Sequence, residues 1–312
     1  MGTKTCKVNI KALKTLPQIE CKLNVLKNGE VIAYKKRKNI EADLDYLILT
    51  NDRYKMLKIY GENNCFWGMK DGFPDKFRTT SELTTCNNMF DRCMQVKEID
   101  LSHFNTSNVT DFSMMFFRCE SLEKLDVSYL DTSKATDISG MFSACDSLKE
   151  LDVSTLKTSK VTNMAGLFGL EKAEHIIGLD KLDTSKVTNM NAMFRDCMSV
   201  KALDLSSWDV SNVTTMNNMF GTCVSLETLD ISGWDTSKVE NFSSFFQYCG
   251  ENLREIKGVF DLKSAKNIQS MFCSHSRKDA HPNLKKVKFK NVPKHFSAGY
   301  IGLRNDQIEI VS

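Results

Sequence analysis

Five aspartates recur at a 26-residue interval with one copy skipped: Asp100, Asp126, Asp152, Asp204 and Asp230. The residues beside each are apolar, as in Leu125-Asp126-Val127, so a period of two turns those inward and the carboxylates outward. Carboxylates on neighbouring strands lie about 5 Å apart and repel by roughly 0.8 kcal/mol in water, so something local must offset them. Three chemistries are open. The first is hydrogen bonding to backbone amides and to the serine two residues on (Ser102, Ser128, Ser154, Ser206, Ser232). The second is an acidic stripe facing a partner. The third is calcium, which takes six to eight oxygens, usually from several carboxylates; one Asp per repeat is a thin set. A second periodic row, Lys134, Lys160, Lys186 and Lys238, lies further along each repeat.

Other reactive side chains are sparse. Of eleven cysteines, Cys93, Cys119, Cys145, Cys197, Cys223 and Cys249 each follow a periodic Phe by three residues. Stacked copies could bridge them in pairs, but a position repeated inside a coil reads as packing, where free Cys behaves as a small hydrophobe. The expectation is a reduced, buried ladder. Of the five histidines (His103, His175, His275, His281, His295), His103 and His175 belong to separate repeats and have no acid or thiol partner at catalytic spacing. Cys273, His275 and His281 offer three zinc ligands, at a spacing that matches no standard site. There is no glycine-rich phosphate loop, nucleophile elbow or His-Glu-x-x-His. The sequence therefore predicts no catalytic residues, no metal and no cofactor.

These residues hang on a repeat. Phe90, Phe116, Phe142, Phe168, Phe194, Phe220, Phe246 and Phe272 are each 26 residues apart, and a fixed period held through eight copies is the mark of a solenoid. Leu122-x-x-Leu125-x-Val127 ends in period-two alternation, a short half-buried strand. Asp-Thr-Ser turns the chain, and Val-Thr-x-Met-x-x-Met-Phe returns along the opposite side of the coil. One coil cannot bury both faces alone, so copies must stack. The fold class expected is a β-rich leucine-rich-repeat solenoid of about eight coils, with a parallel β-sheet on one face and a small β-rich N-terminal cap domain. Trp208 and Trp234 fill a place held elsewhere by Phe104, Leu130, Leu156 and Leu182, so they belong to the core.

The copies FRCESLEKLDVSYLDTSKATDISGMF (117–142) and RDCMSVKALDLSSWDVSNVTTMNNMF (195–220) resemble the BspA-like leucine-rich-repeat surface proteins, in the 26-residue variant of bacterial and mycoplasma surface proteins. The likeness runs from about Ser81 to Phe272. It implies a curved solenoid used for binding, in a family often found on cell surfaces. It implies no ligand, because such proteins share architecture rather than partner.

The domains expected are a β-rich N-terminal domain or cap (1–61), a connecting loop (62–80), the solenoid (81–272) and a C-terminal cap (273–312). Lys27-Asn28-Gly29-Glu30 between apolar runs predicts a hairpin. Further strands are expected over 44–49 and 56–60, and near 284–289 and 308–310. A net charge of +3 is too mild to argue for nucleic acid, and no apolar run reaches bilayer length. The N-terminus lacks an apolar signal core. The chain as it stands reads as cytoplasmic, or as cell-surface if an export signal precedes it.

What remains for recognition is the set of positions the repeat leaves variable. On the strand face these are Glu98, Lys124, Glu150, Ile176, Ala202 and Thr228, followed by His103, Tyr129, Thr155 and Lys181. The copy around 169–182 departs from the pattern at four places: Glu171, Glu174, Gly178 and Asp180. It is expected to bulge outward and, with His175, to form part of a contact surface. The function expected is a non-enzymatic, monomeric scaffold holding a protein partner. The candidate contacts are the five aspartates, Lys124, Glu150, Tyr129, His175 and Ile176. A surface adhesin, and an N-terminal catalytic domain that uses the solenoid for recognition, stay as alternatives.

Overall fold

A computed structural model of the chain describes residues 21–25, 31–35, 47–49, 77–79, 83–94, 96–102, 104–273 and 281–312. The expected strand over 56–60, residues 62–76 and 80 of the expected connecting loop, His103 and His275 lie outside these residues; residues 77–79 of that loop form a strand instead.

Strands β1 (Cys21–Val25) and β2 (Val31–Lys35) pair antiparallel with Val25 opposite Val31, the hairpin that Asn28-Gly29 predicts. Strand β3 (Leu47–Leu49) pairs in parallel with β4 (Phe77–Thr79). The solenoid follows. Its leucine-bearing segments form β5 (Glu98–Ile99), β6 (Lys124–Leu125), β7 (Glu150–Asp152), β8 (His175–Ile177), β9 (Ala202–Asp204), β10 (Thr228–Asp230) and β11 (Glu255–Lys257). Strands β12 (Val259–Asp261), β13 (Val287–Lys290) and β14 (Ile308–Ile310) make a parallel end sheet. Both C-terminal strands therefore form where the sequence places them. A short helix α1 (Ala298–Ile301), capped by the Ser297 hydroxyl, leads into the last of them.

The sheet on the leucine face is parallel but not continuous. β5 pairs with β6, β7 with β8, and β9 with β10 and β11, with no pairing from β6 to β7 or from β8 to β9. The unbroken ladder is on the returning segment, where Thr85, Asp111, Asp137, Asn163, Asn189, Thr215, Asn241 and Asn267 bridge in one parallel row. There, alternate amides point along the solenoid axis. Cys86, Asn88, Phe90 and Arg92 donate to the carbonyls of Asp111, Ser113, Met115 and Phe117 at 2.6–3.0 Å. Left-handed residues allow this zigzag. One place per coil has φ of 53–62°, and is filled by Asn88, Met114, Gly140, Gly166, Ala192, Asn218, Ser244 and Ser270.

Inside, the periodic phenylalanines form one spine. Phe90 stacks on Phe116 at 5.4 Å and 2°, and the contact repeats coil by coil to Phe246 on Phe272 at 4.9 Å. The cysteines at the period are free and buried as expected. The thiols of Cys119, Cys145, Cys197, Cys223 and Cys249 each donate to the carbonyl of the Phe 29 residues back. Burial pushes the Cys197 thiol up to about 12. Trp208 and Trp234 are core residues, and their indole N–H groups donate at 2.8 Å to Leu179 and Leu205 carbonyls one coil earlier.

The Asp-Thr-Ser turn holds a ladder that its turn chemistry alone does not reveal. Thr106, Thr132, Thr158, Thr184 and Thr236 are buried, and each hydroxyl donates to a backbone carbonyl of the next coil. At Thr106, Thr132 and Thr236 the same hydroxyl also accepts an amide from that coil. Each such Thr satisfies two backbone groups that a strand pairing would otherwise serve.

Candidate functional site

The aspartate ladder is first a folding device. Ser102, Ser128, Ser154, Ser206 and Ser232 donate their amides to Oδ1 of Asp100, Asp126, Asp152, Asp204 and Asp230 at 2.8–3.0 Å. These are Asx turns, in which a short carboxylate caps the chain as it leaves the strand. The Ser154 amide holds the Asp152 carboxyl below the usual carboxylate range, and Ser232 does the same for Asp230. Asp230 is also reached by Lys257 at 3.4 Å. Similar turns recur twice more per coil, as at Asp131 with Ser133 and Asp137 with Ser139. Among the described residues no three His, Cys, Asp or Glu gather in a metal-holding group. In the lysine row, Lys134 and Lys238 contact Asn108 and Asn212 of the preceding coil.

The variable positions sit where period two puts them. Glu98, Lys124, Glu150, Ala202 and Thr228 are exposed on the strand face, and Tyr129 stands beside them half-exposed. Ile176 corrects the reading. It lies opposite Leu151 in the β7–β8 register and packs against the core, while His175 faces outward opposite Glu150. Ile177 takes the place of the aspartate and is 42% exposed.

The irregular copy is therefore one residue short before β8, which accounts for Glu171, Glu174 and Gly178; Asp180 does stand in the serine position, as the sequence places it. Counted from that deletion, Leu170 fills the cysteine position and Ala173 the first leucine position, both fully buried. The missing residue falls at the second left-handed place, filled in other coils by Arg92, Arg118, Ala144, Asp196, Thr222 and Tyr248. The lost residue is regained after β8. Gly178, at φ 81°, turns the chain into a single 3-10 turn, Leu179–Lys181, which restores the period. A side chain on Gly178 would lie 2.5 Å from the Ser154 Cα, so the site admits only glycine.

The deletion shapes the surface. With β8 out of step, no pairing joins it to β9, and a hollow of about 600 Å³ opens there. Glu150, Glu174, His175, Ile177, Asp180 and Asp204 line it. A second hollow of about 400 Å³ marks the other break, between β6 and β7, with Lys124, Asp126, Lys149 and Glu150 on its walls. Sequence reasoning found the irregular copy but not the hollow, because an opening between coils exists only once the coils are stacked. Elsewhere, Asp146 is pushed up to about 6 by burial and by Glu171 and Glu120 nearby. His281, inside the C-terminal cap, is held down at about 4 by burial, partly offset by the Phe272 and Gly250 carbonyls.

These features define a parallel β-solenoid of the leucine-rich-repeat class with about one turn per 26 residues, and no helix among the described residues is long and apolar enough to cross a membrane. The chain belongs to the family described as "Mycoplasma protein of unknown function, DUF285", which it matches over 75–176 and 170–284. No curated protein matches it. Among solved structures it is similar to a leucine rich cell surface protein from Faecalibacterium prausnitzii A2-165. The identity is 14% over 76% of this chain and 79% of that one, with a TM-score of 0.30. It is also similar to the functional domain of InlJ from Listeria monocytogenes, which includes a cysteine ladder. There the identity is 13% over 84% of this chain and 70% of that one, with a TM-score of 0.17.

Proposed function

We propose that this chain is a non-enzymatic scaffold that presents the strand face of its solenoid to a protein partner. The supporting observation is how the repeat divides its residues. Phe, Cys, Trp and Thr ladders are all consumed in holding coils together, and the Asp ladder caps the turns. The exposed strand-face positions carry no such duty and vary freely from coil to coil: Glu98, Lys124, Glu150, His175, Ala202, Thr228. A rigid array with a variable surface suits recognition of a macromolecule. A small substrate is better served by an enclosed pocket with convergent polar groups.

A surface adhesin or structural surface component is the second reading, favoured by the resemblance of 117–142 and 195–220 to BspA-like surface proteins. The experiment is affinity capture from the source cells with the full chain and with a Lys124→Glu, Tyr129→Ala, Thr228→Arg variant. The reading expects a partner retained by the first and lost from the second. Equal capture by both, or turnover of a small molecule with no partner captured, would overturn it.

A further inference from the structure

Each coil enters its strand through two adjacent solvent-facing residues set between two inward apolar ones, as Lys97-Glu98 lies between Val96 and Ile99. Stacking turns these residues into two columns. Backbone amides of the first column donate to carbonyls one coil earlier at 2.7–2.9 Å: Glu123 to Lys97, Glu174 to Lys149, Glu227 to Lys201 and Arg254 to Glu227. In the second column the strand register sets Glu98 beside Lys124 and Glu150 beside His175. The first column reads Lys97, Glu123, Lys149, Glu174, Lys201, Glu227 and Arg254, so its sign changes at every coil. The acids and lysines of the second column, Glu98, Lys124, Glu150 and Glu255, each oppose the sign of the residue before them.

Contacts inside the chain meet only part of this charge. Lys97 pairs with Glu123 at 2.8 Å, Arg254 with Glu227 at 3.3 Å and Lys285 with Glu255 at 3.2 Å. Among the described residues Glu98, Lys124, Lys149, Glu150, Glu174 and Lys201 make no ion pair. All six are exposed on one face.

We propose that this face binds a second copy of the chain, coil against like coil, about a twofold axis that runs parallel to the solenoid between the two columns. The proposal rests on the scaffold reading above and names the partner. It makes the working form a dimer, where the sequence alone suggests a monomer. A twofold axis in that place keeps each coil level with its mate and reverses the direction across the face. The first column of one copy therefore meets the second column of the other. Lys97 faces Glu98 of the second copy, Glu123 faces Lys124, Lys149 faces Glu150 and Arg254 faces Glu255, and each contact occurs twice by symmetry. Opposite charges matched in this way fix register and partner.

Neither the aspartate row nor the shape of the solenoid opposes this pairing. The aspartates lie two residues past the second column. The same axis sends the two copies' aspartates to opposite flanks, so the rows do not confront each other. A solenoid curves toward the side on which its coils are closest. Here the returning side is bridged at every step, whereas the strand side is paired only over β5–β6, β7–β8 and β9–β10–β11. Paired strands already stand at the minimum spacing, so the strand side is not the shorter one and forms no concave arc that would hold a second copy away.

The test is sedimentation equilibrium of the full chain. A dimer is expected at low salt, weakened at least about tenfold in about 1 M NaCl, where the screening length is about 3 Å. A Glu123→Lys, Lys149→Glu variant keeps the net charge but sets like charges against each other in both coils. It is expected to associate at least about tenfold more weakly. Adding Lys124→Glu and Glu150→Lys makes the facing charges opposite again and is expected to recover the dimer. Both variants carry the same first column and both lose the Lys97–Glu123 pair, so damage to coil stacking there would weaken both. A monomer at every concentration, a dimer indifferent to the first variant, or a loss that the second does not recover would overturn the proposal. The last is also the result for copies running antiparallel, where Glu123 would face Lys201. If the chain stays monomeric yet captures a different protein from the source cells, the dimer falls while the scaffold reading stands.

Discussion

Ile176 pairs with Leu151, 25 residues back, and not with Glu150, 26 residues back. That one-residue slip reverses which side chains of β8 face solvent, because successive residues of a strand point to opposite faces. It brings His175 out, turns Ile176 in and leaves Ile177 where other coils carry Asp. The core tolerates the slip because Leu170 and Ala173 slide into the positions of Cys145 and Leu148. The strand face gains a hollow of about 600 Å³ by the same step.

Left-handed residues set the first test. Ala192 sits at φ 53°, where coils 140 and 166 use glycine. Ala192→Gly is expected to raise stability by about 1 kcal/mol, since an L side chain there costs roughly 1–2 kcal/mol. Gly178→Ala should do the reverse and cost more, because its Cβ would collide with the Ser154 backbone. Urea unfolding of both variants checks the signs; a neutral Gly178→Ala would contradict the packing.

The buried threonine ladder makes a sharper contrast. Thr132→Val keeps the shape but leaves the Lys157 amide and carbonyl without the hydroxyl that now serves both. A loss of about 1–3 kcal/mol is expected for stranding buried polar groups. Thr132→Ser, which keeps the hydroxyl, should recover most of it. Val210 occupies the same place in its own coil without a hydroxyl, so changes there should leave no such signature.

Acid should loosen the C-terminal cap through His281. Its folded pKa of about 4 lies below the usual value of 6.5, so between these values the unfolded chain binds more protons. Stability from this group is fully present above about pH 6.5 and is lost as pH falls toward 4, by about 3 kcal/mol in all. Asp146 has the opposite sign: its pKa is raised from 3.8 to about 6, so folding gains from protonation as pH falls through that window. Thermal melts of wild type and His281→Phe across pH 4–7 isolate the histidine. Parallel slopes would show that it does not titrate on unfolding.

The cysteine ladder should be chemically silent. The seven buried thiols, Cys86 to Cys249, lie in the core, and for Cys197 burial raises the pKa to about 12. Since the thiolate is the reactive form, iodoacetamide followed by peptide mass spectrometry should leave these seven unlabelled until denaturant is added. Labelling of Cys197 in the native chain would mean that the coils open.

The sequence by itself determined the solenoid, its period, the inward Phe, Cys and Trp positions and the outward Asp row. All of these follow from residue type recurring at a fixed interval, which stacking turns into contact between like residues. The Asn28-Gly29 hairpin and the two C-terminal strands were also legible, because turn chemistry and alternation are local. Tertiary structure alone decided where the sheet is continuous, what the buried threonines bond to, and that the odd residues at 171, 174 and 178 follow from one residue lost before β8 and regained at Gly178. A gap of one residue leaves no mark on composition; it shows only when neighbouring coils must align their amides and carbonyls. The hollow between β8 and β9 is the space left where that alignment fails, and no single coil contains it.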